Sequence, residues 1–217
     1  MTDWPAWGTS VGTLVLAGAT FVAVRSSNRS ARIAERSLLA ALRPFLAPSR
    51  PDDPGELVQF ADGRQLETRP GRALVLRDHN VIYLAIPLRN FGTGFAVLSG
   101  YRTEAQAAEQ VAADPRGPAR HQRGDTAPDP ATFAVQQRDL YVPPGSLGFW
   151  QAALRDPDSE RFKRTEQAIR TSGRITVDLL YTDHDGAQPT ITRFVLLPGN
   201  DQYWRCDTTR HWNLAGR

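Results

Sequence analysis

From Trp4 to Val24 the chain runs for 21 residues without an ionisable side chain, WPAWGTSVGTLVLAGATFVAV. A helix of that length covers about 30 Å, the hydrocarbon thickness of a bilayer. Trp4 and Trp7 lie at one end, where indole rings favour the headgroup region. Pro5 falls in the first turn, which needs no N–H partner. Thr9, Ser10, Thr13 and Thr20 dilute the hydrophobicity, but in a helix such hydroxyls can bond back to the carbonyls. The run predicts a transmembrane anchor over residues 1–24. Three other accounts fit less well. A cleaved signal peptide starts with basic residues, whereas this chain opens Met-Thr-Asp, although Ala17 to Ala19 imitates a cleavage site. A soluble core helix seldom runs this long without charge. A helix lying on a membrane surface needs a charged face that residues 4–24 lack.

Orientation follows from the flanks. Arg25, Arg29, Arg32 and Arg36 follow the span, and Asp3 is the one side-chain charge before it. The positive-inside bias places the N-terminus outside and the rest of the chain in the cytoplasm. There the arginines would meet anionic inner-leaflet lipids, each attraction worth about 1 kcal/mol. The formal charge of +3 belongs to this region, because six arginines and only Glu35 lie between Arg25 and Arg50. Residues 51–217 are left near neutral. A nucleic-acid binder carries its charge on the contacting domain, so no nucleic acid is expected as a partner. Cys206 is the single cysteine, so no intramolecular disulfide forms, in keeping with a reducing compartment. Lys163 is the sole lysine among many arginines, the composition of a high-GC bacterial chain.

Residues 28–43 continue as helix, with Ile33, Ala34, Leu38, Ala41 and Leu42 at three- and four-residue steps. This basic juxtamembrane helix and its linker occupy 25–50, stopped by Pro44 and the PSRPDDPG run. Anchor and extension together would make a rod of about 60 Å. The stripe suits the protein's own domain, a partner helix or the membrane face. Gly8 and Gly12 make a weak G-x-x-x-G step for helix pairing in lipid.

Beyond residue 50 short apolar runs alternate with turn signals. The expected strands are Leu57–Phe60, Ala73–Leu76, Val81–Arg89, Gly94–Thr103, Thr132–Val142, Ser146–Leu154, Arg174–Thr182, Thr190–Leu197 and Gln202–Cys206. In Arg174–Thr182, Ile175, Val177, Leu179 and Tyr181 alternate with other residues, the pattern of a half-buried strand. One helix is expected over Asp158–Ile169, capped by Ser159 or Asp158. The fold class read from this is mainly β: a two-sheet antiparallel sandwich over 51–217, with an immunoglobulin-like form among the options. Residues 113–131, rich in proline and charge, read as a mobile loop.

Four stretches carry a resemblance: Arg43-Pro44, LRNFGTGFA (Leu88 to Ala96), LLYTDHDG (Leu179 to Gly186) and Arg210-His211-Trp212-Asn213. With them the chain resembles bacterial, actinobacterial-type single-pass membrane-anchored proteins with a C-terminal β domain. The resemblance implies architecture and membrane attachment. It supplies no active site.

No catalytic or metal constellation is expected, and no cofactor. The Asn90–Gly94 stretch holds a lone G-x-G, without the third glycine and helix of a dinucleotide site. Its expected role is a hairpin or bulge using glycine's positive φ. Asp183-His184-Asp185-Gly186 reads as a polar hairpin turn before a metal site, since converging ligands and the calcium-loop spacing are missing. His79, His121, His184 and His211 are scattered. Cys206 reads as a buried strand residue before a nucleophile. Trp204, Arg210, His211 and Trp212 form an aromatic and basic cluster that suits either a partner surface or the closure of one end of the fold.

The functional expectation is a membrane-tethered cytoplasmic β module that binds an unknown protein or assembles as a homo-oligomer. Two alternatives stand beside it. One is a small membrane-bound enzyme in which three of His79, His184, His211, Asp183, Asp185 and Cys206 converge in a pocket. The other is an outward-facing envelope protein.

Overall fold

A computed structural model describes residues 4–113, 126–138 and 140–214, with side chains along the first helix at positions 18, 20–34, 37, 38 and 41. It divides into two compact units, Met1–Ala41 and Leu42–Arg217.

The first unit is one helix, α1 (Trp4–Ala41), of 38 residues. At 1.5 Å per residue it is about 57 Å long. Arg25, Arg29 and Arg32 are exposed on it. So are Phe21, Val22, Val24, Ile33 and Leu38, each between 54% and 67% accessible. The side chains of Trp4, Trp7 and Arg36 lie outside the described residues, as does the Gly8–Gly12 step. Among the described residues no helix is long and apolar enough to cross a membrane.

The second unit is mainly β. Its chain order is β1 (Leu46–Pro48), β2 (Leu57–Gln59), β3 (Gln65–Glu67), β4 (Arg72–Asp78), β5 (Val81–Asn90), β6 (Ala96–Gln106), α2 (Ala108–Ala113), a 3-10 turn (Pro130–Thr132), β7 (Ala134–Val135), β8 (Tyr141–Val142), β9 (Leu147–Leu154), α3 (Glu160–Arg170), β10 (Arg174–Thr182), β11 (Thr190–Leu197) and β12 (Tyr203–Asn213). Ten of the strands make one antiparallel sheet, and β2 pairs with β3 alone. The path runs β5, β4, β12, β11, β10, β6. At one end β9 adds to β5, while β1 takes the stretch of β5 beyond β4. At the other end β7 and β8 add to β6.

The expected pair of sheets is therefore corrected to a single curled one. The connection between β8 and β9 supplies the physical reason. They lie at opposite ends of the hydrogen-bonded path, yet only Pro143, Pro144, Gly145 and Ser146 separate them in sequence. A four-residue link forces the ends together. Two bulges help the bend. Ser99 is the extra residue of β6 opposite Leu180/Tyr181, and Thr209 that of β12 opposite Arg193/Phe194. Each hydroxyl returns to a carbonyl across the bulge, Ser99 to Leu180 at 3.1 Å and Thr209 to Arg193 at 3.4 Å.

The alternation expected for β10 holds: Ile175, Val177, Leu179 and Tyr181 enter the core inside the curl with Leu84, Ile86, Trp150 and Phe194. Helix α3 adds Phe162 and Ala168 to it. Ser159 is the α3 cap, its Oγ accepting from the Phe162 N–H at 3.2 Å. On the outer face the β2–β3 hairpin region lays Val58 and Phe60 over Leu74, Tyr83 and Tyr203.

Three further expectations change. The strand expected over Thr132–Val142 is a 3-10 turn followed by two short strands, and between them the Gln136 side chain turns back to donate to the Arg138 carbonyl at 2.8 Å. The expected linker contains β1, so the second unit begins at Leu42 and not at 51. Of the loop expected over 113–131, residues 114–125 lie outside the described residues, and 130–131 belong to the 3-10 turn.

Candidate functional site

The four stretches that carried the resemblance meet around the segment Leu42–Pro48. Gly92 and Gly94 make room for it. A Cβ on Gly92 would collide with the Arg43 carbonyl, and one on Gly94 with that of Leu42. Neither glycine has positive φ. The expected hairpin role is thus corrected to close backbone approach, for which hydrogen is the only side chain small enough.

Asn90, fully buried, ties this segment to its surroundings. Its Oδ1 accepts from the Phe45 and Gly92 N–H groups at 3.1 and 2.9 Å. Its Nδ2 donates to the Gly94 and Val142 carbonyls at 2.7 and 2.9 Å. All four bonding positions of the amide are used. Phe91 N–H completes the clamp with a bond to the Phe45 carbonyl at 2.8 Å.

A second chain of contacts runs through the core. The Leu46 N–H donates to Tyr181 Oη at 3.3 Å. Tyr181 Oη is 2.9 Å from Thr192 Oγ1, which is 2.7 Å from His211 Nδ1. With Leu46 as donor, the Tyr181 hydrogen is available to Thr192 and the Thr192 hydrogen to the imidazole. That direction requires neutral His211, accepting at Nδ1. Burial pushes this histidine down to about 4. The Phe45 ring covers it, with centroids 4.1 Å apart. Burial also raises the Tyr181 phenol.

The Asp183–Gly186 stretch is a turn, as expected. Asp183 is buried, and its Oδ1 accepts from the Ala187 and Gln188 N–H groups at 2.7 and 3.2 Å. Gly186 supplies the positive φ of 73°. Gln188 Oε1 receives the Arg43 Nε at 3.1 Å, joining the turn to the same segment. Above this bonded floor stands an apolar rim: Leu42, Phe45, Phe91 and Phe95 are 41–46% accessible. The Arg50 guanidinium lies 5.1 Å over the Phe91 ring.

No family model, curated protein or solved structure matches this chain.

The expected partner surface is split by strand alternation. Trp204 faces the core and is 4% accessible. His211, opposite Thr192, faces inward too, whereas Arg210 and Trp212 lie on the other face, where Trp212 is still only 6% accessible. There Arg193 and Arg210 stack on the Trp212 ring at 5.0 and 5.4 Å, and Arg193 holds buried Asp178 with bonds of 2.7 and 2.8 Å. The six residues of the enzyme alternative do not gather. Cys206 and His211 are roughly 16 Å apart along β12 at the usual rise. Burial pushes the Cys206 thiol up, away from a nucleophile. His79 pairs with Asp78 at 2.6 Å and His184 with Asp185 at 3.2 Å, both exposed. Among the described residues no three His, Cys, Asp or Glu side chains form a metal-sized group.

Sequence reasoning missed Asn90, Tyr181, Thr192 and Gln188 as one assembly. The visible signal was polar groups within strongly apolar strands, which must find partners when buried. The sequence does not say which partners.

Proposed function

We propose that the chain is a membrane-tethered, non-enzymatic protein-binding module whose docking face is the rim around Leu42–Pro48. The observation that supports this most directly is the set of half-exposed apolar side chains, Leu42, Phe45, Phe91 and Phe95, around a segment that the buried Asn90 amide holds with four hydrogen bonds. Rigid aromatic groups lose little freedom on binding and dominate interface energetics. Exposed apolar clusters mark interaction sites. The tether is the uncharged Trp4–Val24 run, most of whose side chains lie outside the described residues, followed by Arg25, Arg29, Arg32 and Arg36. Phe21, Val22 and Val24 stand exposed on α1 and need an apolar cover, which a bilayer provides. In this reading the β unit faces the cytoplasm and its partner is another protein or a second copy of the chain.

Two measurements test the reading. Full-length protein should pellet with membranes through a carbonate wash, and a C-terminal tag should be protected from protease in intact spheroplasts. Uncleaved protein in the soluble fraction without detergent sinks the tether, and a digested tag reverses the orientation. Phe91→Ser with Phe95→Ser should abolish partner capture or self-association of the detergent-solubilised chain, at about 1–2 kcal/mol per ring, without lowering Tm.

A further inference from the structure

A cleft of about 1170 Å³ opens between β6 and α3, away from the rim. Its lining includes Arg102 and Glu104 of β6 and Glu160, Arg161, Lys163 and Arg164 of α3. Two of these cations are matched within the cleft, Arg102 by Glu104 and Arg164 by Glu160 at 3.8 Å. Among the described residues Arg161 and Lys163 have no acidic partner, which leaves two uncompensated positive charges at the cleft.

Arg161 is held as a receptor would be. Its Nε donates to Thr103 Oγ1 at 2.8 Å, and its guanidinium lies 5.1 Å over the half-buried Tyr101 ring. Tyr101 is itself braced edge-on by buried Trp150, with centroids 5.3 Å apart. One edge and one face of the guanidinium are thus fixed. Among the described residues its two terminal nitrogens have no acceptor, and neither does the Lys163 ammonium. A guanidinium immobilised this way loses little entropy on binding an anion through its open edge.

We propose that this cleft binds a phosphate monoester of a polar small molecule. The charge count selects the anion: a monoester carries about two negative charges at neutral pH, whereas a carboxylate carries one. The volume selects an ester over the bare ion, because clefts of several hundred Å³ accept whole organic ligands. The rest of the wall mixes polar Thr103, Gln106, Gln110 and Thr132 with Ala105, Ala107, Ala134 and the Tyr101 ring, which suits a sugar or nucleoside body. This site is independent of where the chain is anchored and of what docks on the rim.

The test is calorimetric titration of the detergent-solubilised full-length chain with AMP and with glucose 6-phosphate, beside adenosine, glucose and inorganic phosphate. At least one ester should bind with Kd below about 1 mM, its unphosphorylated parent should not, and inorganic phosphate should bind at least about tenfold more weakly. Arg161→Gln and Arg161→Lys should each weaken the ester about tenfold or more, since lysine keeps the charge but lacks the fork. Lys163→Gln, at an exposed position that leaves the fold untouched, should cost a few-fold. Arg170→Gln, on the same helix but outside the cleft, should change nothing. Absence of saturable binding by either ester, an Arg161→Lys protein of unchanged Tm that binds as wild type, or inorganic phosphate as tight as the esters would each overturn the proposal.

Discussion

At the scale of single residues, the groups that hold this fold together are polar ones at the ends of apolar strands. Asn90 closes β5, and its amide joins four backbone groups from three separate segments of chain. The orientation of that amide is fixed by its partners: two N–H donors on one side, two carbonyls on the other. Asn90→Asp is nearly isosteric, yet it faces the Gly94 and Val142 carbonyls with an acceptor where they need a donor. Asn90→Ala leaves all four partners bare. Both variants should lose about 3 kcal/mol or more in urea unfolding, with Asp no better than Ala. A gain of stability for Asp over Ala would mean the bonds to Gly94 and Val142 contribute little.

At the scale of elements, β1 is a three-residue strand that belongs to the sheet only because neighbouring segments make space for it. Short strands contribute few ladder bonds, here three paired positions against the end of β5. The clamp on its N-terminal side depends on Gly94, where an added methyl group would overlap the Leu42 carbonyl. Backbone cannot swing aside as a side-chain tip can. Gly94→Ala should therefore cost about 1–3 kcal/mol. It should also raise amide exchange at Phe45, Leu46 and Phe91 ahead of amides in β10 or β11. Uniform exchange across the sheet would show that the loop is not a local clamp. Helix α3 is the contrasting element: its presence and approximate extent were legible from local chemistry, with Ser159 one of two caps the sequence offered, and the structure adds the buried positions Phe162, Thr165 and Ala168.

At the scale of the whole molecule, the path from β1 through Tyr181 and Thr192 to His211 links the first strand of the unit to the last. Run from the Leu46 N–H to the imidazole it ends on a neutral ring, the form that burial favours. The folded value of about 4 lies below the ordinary 6.5, so the unfolded chain takes up the proton first. The stabilisation is complete above pH 6.5 and is lost as the pH falls toward 4. The full shift corresponds to about 3 kcal/mol, but the ring is partly solvated, so roughly 1–2 kcal/mol is expected. Asp53 and Asp62, whose carboxyls hydrogen bonds hold below 3.8, contribute their own loss only at lower pH. Urea unfolding at pH 7.5 and 4.5 should show this fall in wild type and a flatter dependence in His211→Asn. Equal slopes would remove His211 as the linked group.

The amino-acid sequence alone determined the local features of this protein. An uncharged run followed by arginines, two-residue alternation in β10, and a helix capped by Ser159 or Asp158 are each set by neighbours within a few positions, so periodicity and capping reveal them. Strand alternation was legible too, but Trp204, Arg210, His211 and Trp212 were grouped by proximity in sequence, and the sheet sends them to two faces. Only tertiary structure decided that ten of the strands form one sheet, because the closure depends on which strands the Pro143–Ser146 link brings side by side. It likewise decided that Gly92 and Gly94 serve close approach, that Asn90, Tyr181, Gln188 and His211 surround the Leu42–Pro48 segment, and that Arg161 stands on Tyr101 beside an open cleft. Those partners are separated by tens of residues to well over a hundred, and no local pattern encodes a contact whose two halves are chosen by the path of the whole chain.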